Sequence, residues 1–355
     1  MMNSMTSAET TVAIAVPLEA ELVDRIRAVD PSVTVLYDPE LLPPERYPAD
    51  HSGDPDFRRT PEQEERYWAM LNKAQILYGF PNESPAGLAR IARSNPHLEW
   101  IHAMAAGAGG AVKASGLDAA TLGKFKVTTS AGVHALPLAE FAALGILNGF
   151  KRTAEMAQDQ AAGIWPELRT PTRLVSGSRL VVTGLGEIGL ETARLAKALG
   201  MSVSGTKRSV EPIDGIAEVA DNAGLPELLA KADAVVNTLP GTPFTEKLFN
   251  REVFAAMKPG TVFVNVGRGT VVDEEALLEA LDNGQVSYAC LDVFAVEPLP
   301  QDSPLWNHPK VTVSPHTSAL SAAENRLIAE RFCSNLRTHL DGGQLPHLVD
   351  TVHFY

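Results

Sequence analysis

The apolar and polar positions along the chain fall into two series of short apolar runs, separated by amphipathic stretches. In the first series, Thr11–Val16 predicts a strand, Glu19–Val29 an amphipathic helix and Val33–Tyr37 a second strand. Gln75–Tyr78, Leu98–Ala103 and Lys126–Thr129 continue it. In the second series the strands are Arg179–Thr183, Ser202–Gly205, Ala234–Thr238, Thr261–Val266, Ser287–Asp292 and Val311–Val313. Short β-like runs that alternate with helical patterns predict parallel sheets covered by helices. Leu136–Ala161 reads as helical and joins the two series. Asp273 is placed to cap a helix through Leu281, which Asn283-Gly284 would end. Ser321 and Glu324 have capping-box spacing ahead of a helix toward Leu340, stopped by Gly342-Gly343. Leu42–Thr60, rich in Pro and Asp, breaks the rhythm and predicts a long surface loop.

Composition narrows this picture. A chain of 355 residues, 45% hydrophobic, has room for two domains with real cores. The formal net charge of -13 opposes a nucleic-acid partner, which would call for a basic stripe. Cys290 and Cys333 are the only cysteines, too few for a disulfide framework or a zinc cluster, and no metal site is expected. They suit a reducing compartment. Met1–Thr11 lacks the charged and apolar regions of a signal peptide. No apolar run is long enough to span a bilayer. The expectation is a cytoplasmic protein with no membrane partner.

Candidate chemistry begins at Arg179–Thr183, which leads into Gly184-Leu-Gly186-Glu187-Ile188-Gly189 and then a helical run from Leu190 to Leu199. Strand, glycine turn and helix in this order form the context a dinucleotide fingerprint requires. Gly184 permits the turn, Gly186 admits the pyrophosphate, and Gly189 lets helix and strand pack closely. An acid at the end of the next strand would take the ribose hydroxyls of NAD. This chain instead has Thr206-Lys207-Arg208-Ser209. Two cations and two hydroxyls there favour NADP(H), with NAD(H) left open.

Three further strands each lead into a polar residue: Arg268 after Thr261–Val266 and Gly267, Glu297 after Ser287–Asp292, and His316 after Val311–Val313. Singly, each has an ordinary reading: a surface ion pair, an acid before Pro298, a turn histidine. Together they supply a cation for an acidic substrate and an acid–base group, beyond the carboxyl ends of strands where open α/β sheets bind ligands.

With these residues the chain resembles the D-isomer-specific 2-hydroxyacid dehydrogenase family, in its glyoxylate/hydroxypyruvate reductase-like branch. The motifs are Gly184–Gly189, Asn265-Val-Gly-Arg-Gly-Thr-Val-Val-Asp273, Leu291-Asp-Val-Phe-Ala-Val-Glu-Pro298 and Pro315-His316. The likeness extends to Trp100–Gly109, Ser130–Glu140 and Val349-Asp350, and is least secure over Leu42–Thr60. The resemblance implies that His316 is the general acid/base and Glu297 its carboxylate partner. It also implies that Arg268 binds the substrate carboxylate and polarises the carbonyl. Asp292 matches a position near the nicotinamide amide, and Val266 and Gly267 border the cofactor. Ala106-Gly107-Ala108 matches the turn whose N–H groups receive the carboxylate. The chain departs from the family pattern at Lys207, at Gly107-Ala-Gly-Gly110, and at Thr317-Ser318 after the histidine.

The resemblance further implies two doubly wound parallel-sheet α/β domains with the active site between them. A Rossmann cofactor domain, residues 133–320, would be inserted into a flavodoxin-like substrate domain, residues 1–132 and 321–355. Relatives are commonly homodimers, and the Ile164-Trp165 segment suits such a contact or an ordinary core or linker tryptophan. The leading expectation is reduction of a small 2-oxo acid to the D-2-hydroxy acid. Two other readings stay open: a dinucleotide-sensing corepressor-like protein, and a dehydrogenase of another small anion such as phosphite.

Overall fold

Each apolar run of the first series becomes a short strand, and helices on both faces bury it. The computed structural model describes residues 10–352 and 354, so most of the Met1–Thr11 segment lies outside the described residues. The strands are β1 (Thr10–Ile14), β2 (Val33–Leu36), β3 (Ile76–Tyr78), β4 (Trp100–His102) and β5 (Lys126–Thr128). They pair in parallel in the order β2-β1-β3-β4-β5, so the winding reverses between β1 and β3. On one face, helix Ala20–Arg27 turns Leu22, Val23 and Ile26 inward. Helix Glu324–Leu340 adds Ile328, Phe332 and Leu336 beside Val12, Ile14 and Trp100. The other face is covered by Tyr67 and Leu71 of helix Pro61–Leu71 and by Leu88 and Ile91 of helix Pro85–Ser94.

Residues 42–60 contain no helix or strand. Asp50 organises them: its buried carboxylate accepts from Arg46 Nε at 2.6 Å and from the Gly53 N–H at 3.1 Å. The expected capping box at Ser321 and Glu324 does not form. The helix begins at Glu324 behind Ala323, without a side-chain cap. Glu324 turns inward instead, and its carboxylate accepts from His134 Nε2 at 2.9 Å. For a carboxylate only 6% exposed, a buried donor outweighs a local cap.

The second series gives β6 (Arg179–Thr183), β7 (Ser202–Thr206), β8 (Val219–Ala220), β9 (Ala234–Asn237), β10 (Thr261–Asn265), β11 (Val286–Leu291) and β12 (Val311–Val313). All are parallel, in the order β12-β11-β10-β9-β6-β7-β8. Counted from β6 this is the doubly wound dinucleotide-binding order with one added strand, and it reverses between β6 and β9. Two apolar clusters flank the sheet, one around Phe249, Phe254 and Phe263, the other around Phe150, Val182 and Val264. The stretch expected as one helix is two, Ala135–Lys151 and Thr153–Ala162. They are broken at Arg152, whose φ of 57° is left-handed. The chain folds as two compact units, one of Met1–His134 with Leu320–Tyr355, the other of Ala135–Ala319.

Asp273 caps helix Glu274–Asp282 as expected, its side chain accepting from the Ala276 N–H. Replacing it by Ala should lower stability by about 1 kcal/mol, the usual weight of an N-cap. Asp273→Asn, which keeps the acceptor, should stay near wild type. The measurement is the midpoint of urea unfolding, and an unchanged midpoint in Asp273→Ala would rule the cap out as a stabilising feature.

Candidate active site

Strand β6 runs straight into the glycine turn. Gly184 has a φ of +96°, which side-chain-bearing residues rarely adopt. A Cβ on Gly189 would lie 2.1 Å from the Gly184 carbonyl oxygen, so only a bare backbone lets helix Glu187–Ala198 approach β6 this closely. At Gly186 a Cβ would meet nothing within 4 Å, so that side of the turn is open to an incoming group. No side chain caps the helix that starts here, and its first N–H groups point outward at the positive end of the helix dipole. These features suit a pyrophosphate.

The turn is held from both sides. Leu185 N–H donates to the Thr206 carbonyl at 2.8 Å, and Gly184 N–H to Thr206 Oγ1 at 3.3 Å. The Thr238 hydroxyl donates to the Gly184 carbonyl at 2.7 Å. Thr206 is therefore buried and occupied with the turn, whereas Lys207, Arg208 and Ser209 beyond it are exposed. Glu187 is exposed and Ile188 half-buried.

Beneath this surface lies a buried amide pair that sequence reasoning missed. Asn237, the last residue of β9, accepts from Thr183 Oγ1 at 3.0 Å through Oδ1 and donates to Asn265 Oδ1 at 2.8 Å through Nδ2. Asn265, ending β10, accepts the Gly267 N–H at 3.1 Å and donates to the Arg268 carbonyl at 3.3 Å. The strand that feeds the glycine turn is thus tied to the loop that carries Arg268. Val266 and Gly267 are buried in that tie, and the Arg268 side chain emerges exposed, with Nη1 on the Gly267 carbonyl at 2.7 Å.

Glu297 and His316 meet, as expected from their positions after β11 and β12. His316 Nδ1 lies 2.7 Å from Glu297 Oε2. A carboxylate only accepts, so Nδ1 carries the proton and Nε2 is presented outward. Partial burial pushes the Glu297 carboxyl up. The His316 hydrogen bond, the Phe294 N–H at 2.9 Å and the charges of His316 and Arg268 outweigh that and hold it below the ordinary carboxylate range. Arg268, Glu297 and His316 therefore share one electrostatic neighbourhood.

His316 has a φ of 55°, a costly backbone state for a non-glycine residue. Asp292 imposes it. This residue, 1% exposed, accepts the His316 N–H on its carbonyl at 2.9 Å. Its Oδ1 takes the Ser314 hydroxyl at 2.7 Å and the Thr317 and Ser318 N–H groups at 3.0 Å each. Its Oδ2 accepts the Ser318 hydroxyl. The Asp292 carboxylate thus folds the turn that displays the histidine, and the unusual Ser318 is one of its donors.

Ala106, Gly107 and Ala108 lie in the first unit, in a turn after β4, with Ala106 and Gly107 exposed and Ala108 buried. Among the described residues their N–H groups find no acceptor. No group of three or more His, Cys, Asp or Glu among the described residues could hold a metal ion. No helix among them is long and apolar enough to cross a membrane.

Strand order, glycine turn and carboxylate–imidazole pair define the class: a doubly wound dinucleotide-binding protein with a carboxylate-paired histidine at the carboxyl edge of its sheet. Residues 144–318 match the model of the D-isomer specific 2-hydroxyacid dehydrogenase, NAD binding domain. Over 207 residues the chain is 33% identical to glyoxylate/hydroxypyruvate reductase A of Serratia proteamaculans (strain 568), covering 58% of this chain and 64% of that protein. It is 30% identical over 220 residues to the protein of the same name from Yersinia enterocolitica, covering 62% of this chain and 69% of that one. The matched stretch is thus just under two thirds of the length of the Serratia relative. A solved D-isomer specific 2-hydroxyacid dehydrogenase from Xanthobacter autotrophicus Py2, in complex with NADPH and MES, superposes with a TM-score of 0.74 at 26% identity. That superposition covers 98% of this chain and 100% of the other. The chain belongs to the D-isomer specific 2-hydroxyacid dehydrogenase family.

Proposed function

We propose that the protein reduces a small 2-oxo acid of the glyoxylate or hydroxypyruvate type to the D-2-hydroxy acid, with NADP(H) preferred over NAD(H). The observation that carries this reading is the Glu297–His316 pair at 2.7 Å, within the electrostatic reach of Arg268 and on the same sheet edge as the glycine turn. Residues 133–320 are assigned as the dinucleotide domain, and residues 1–132 with 321–355 as the substrate domain.

When bound, the reduced nicotinamide supplies a hydride for C2 of the substrate. Glu297, ionised at neutral pH, fixes the imidazole by its Nδ1–H and gives the protonated ring a counter-charge. The His316 Nε2 proton passes to the carbonyl oxygen as C2 is reduced, so the 2-oxo group gains one hydride and one proton. Arg268 takes the carboxylate through its planar fork and draws negative charge toward the developing alkoxide. The free N–H groups of Ala106, Gly107 and Ala108 are of the kind that receive a carboxylate. Turnover is expected with NADPH in a panel holding glyoxylate, hydroxypyruvate, larger 2-oxo acids and phosphite. His316→Ala should lower kcat/KM by about 100- to 10,000-fold, the span of general acid–base catalysis. No turnover on any 2-oxo acid, with dinucleotide still bound, would leave the sensor reading in its place.

The cofactor preference is supported by exposed Lys207, Arg208 and Ser209 where an acid would select NAD, and by the NADPH held by the Xanthobacter protein. Replacing Lys207 by Asp together with Arg208 by Ala should shift the NADPH/NADH ratio of kcat/KM toward NADH by about tenfold or more, the weight of one charge-assisted hydrogen bond. A wild-type protein that already prefers NADH sinks the proposal.

We also propose a cytoplasmic homodimer. Free thiols at Cys290 and Cys333 suit a reducing compartment. Met156, Ile164, Trp165, Leu168 and Leu174 are all more than half exposed on the second unit, apolar side chains of the kind a subunit contact would cover. Sedimentation should give a dimer for the wild type and a monomer for the double variant Trp165→Glu, Leu168→Glu. A wild-type monomer at micromolar concentration refutes it.

A further inference from the structure

Behind the exposed turn at Ala106–Ala108 is a buried chain of polar side chains that the reaction does not use. Trp100 Nε1 lies 2.8 Å from Thr128 Oγ1, and Thr128 Oγ1 lies 2.8 Å from His102 Nδ1. His102 Nε2 lies 3.2 Å from Ser130 Oγ, which lies 3.0 Å from the Ala103 carbonyl oxygen. His102, Thr128 and Ser130 are fully buried, with the rings of Tyr78, Trp100 and Phe332 around the imidazole.

The two ends set the direction. An indole N–H only donates and a carbonyl oxygen only accepts. The Ser130 proton must therefore go to Ala103, and Ser130 Oγ must accept from His102 Nε2–H. A neutral imidazole has one N–H, so Nδ1 accepts the Thr128 proton, and Thr128 in turn accepts from Trp100. Every proton is used once and one tautomer is selected. Burial, with help from the charges of Arg331 and His347, pushes the His102 pKa down to about 3, so the ring stays neutral across the physiological range.

The chain ends where positioning matters. Ala103 N–H makes the last strand-like bond, to the Thr128 carbonyl at 2.8 Å, and the backbone then leaves the sheet for Ala105–Gly107. Beyond it the Ser130 hydroxyl holds the Ala103 carbonyl and the Ser130 N–H the Ala105 carbonyl at 3.4 Å, while the Val112 N–H holds the far end of the turn at the Ala108 carbonyl at 3.1 Å. We infer that His102 is a positioning residue, which by orienting Ser130 holds the Ala106–Ala108 turn in the shape that receives the substrate carboxylate. The inference rests on the proposed role of that turn.

Two conservative variants separate positioning from mere core packing. Gln places its amide nitrogen near the site of the imidazole Nε2 and keeps the link to Ser130. Asn reaches only the Nδ1 site and loses it. His102→Asn and Ser130→Ala should each raise KM for glyoxylate about tenfold, the weight of one buried hydrogen bond, with kcat and the Kd for NADPH within about twofold. His102→Gln should keep the wild-type KM. Amide hydrogen exchange at positions 103 and 130, whose N–H groups donate to the Thr128 and Ala105 carbonyls, should speed by a similar factor in His102→Asn and Ser130→Ala, but not in His102→Gln. Equal exchange and KM in the Asn and Gln variants, or changes that follow only the melting temperature, would overturn the inference. The exchange readout needs no turnover, so an inactive wild type counts against the proposed reaction and leaves this test standing.

Discussion

The contact between helix Glu187–Ala198 and strand β6 is the constraint on which the second unit's chemistry depends. Gly189 meets the Gly184 carbonyl at a distance that excludes even a methyl group. Because the helix comes so close, its uncapped first turn stands at the point where the sheet reverses, beside the ends of β6 and β9. The neighbouring features follow from that placement. Thr206 and Thr238 clamp the turn, and the Asn237–Asn265 amide pair carries its position across to the Arg268 loop. The glycine turn and the Arg268 loop are therefore fixed parts of one hydrogen-bonded edge.

A different logic governs the Glu297–His316 pair. His316 sits on a turn whose left-handed backbone would relax if left alone, and Asp292 keeps it in place by using its oxygens on donors of that turn. A buried carboxylate satisfied by N–H and hydroxyl groups is a rigid anchor, because each lost donor would leave charge unpaired in an apolar setting. Glu297 then needs only one oxygen to set the imidazole tautomer, while its other oxygen is fixed by the Phe294 N–H.

Much of this was legible in the residues. Arg179–Thr183 and Val311–Val313 appear as strands with the limits their apolar runs suggest, and Asp273 caps where its spacing indicates. Strand β8, at two residues, is too short to leave a pattern. The break at Arg152 is invisible because it falls at an arginine rather than at a glycine or proline. The Ser321–Glu324 spacing misled, since a partner 190 positions away, His134, outcompeted the local cap. Glu297 and His316 could be paired through the order of motifs that resemble the family. Asn237 and Asn265 could not: an amide inside an apolar strand announces that it is buried, but not which strand will lie beside it. The hold of Asp292 on the histidine turn became visible only with the turn in place.

The clasp between His134 and Glu324 has a consequence for how the molecule is made. Residues 135–319 form a continuous unit that holds its own core, whereas the first unit closes only when helix Glu324–Leu340 brings Ile328, Phe332 and Leu336 onto β1 and β4. In chain order the strands of the first unit, with helix Ala20–Arg27 over part of one face, precede the whole inserted unit, and the helix that completes that face follows it. The segment translated first can therefore complete its core only after the segment translated last has emerged, and until then β1 and β4 lack the cover of Ile328, Phe332 and Leu336.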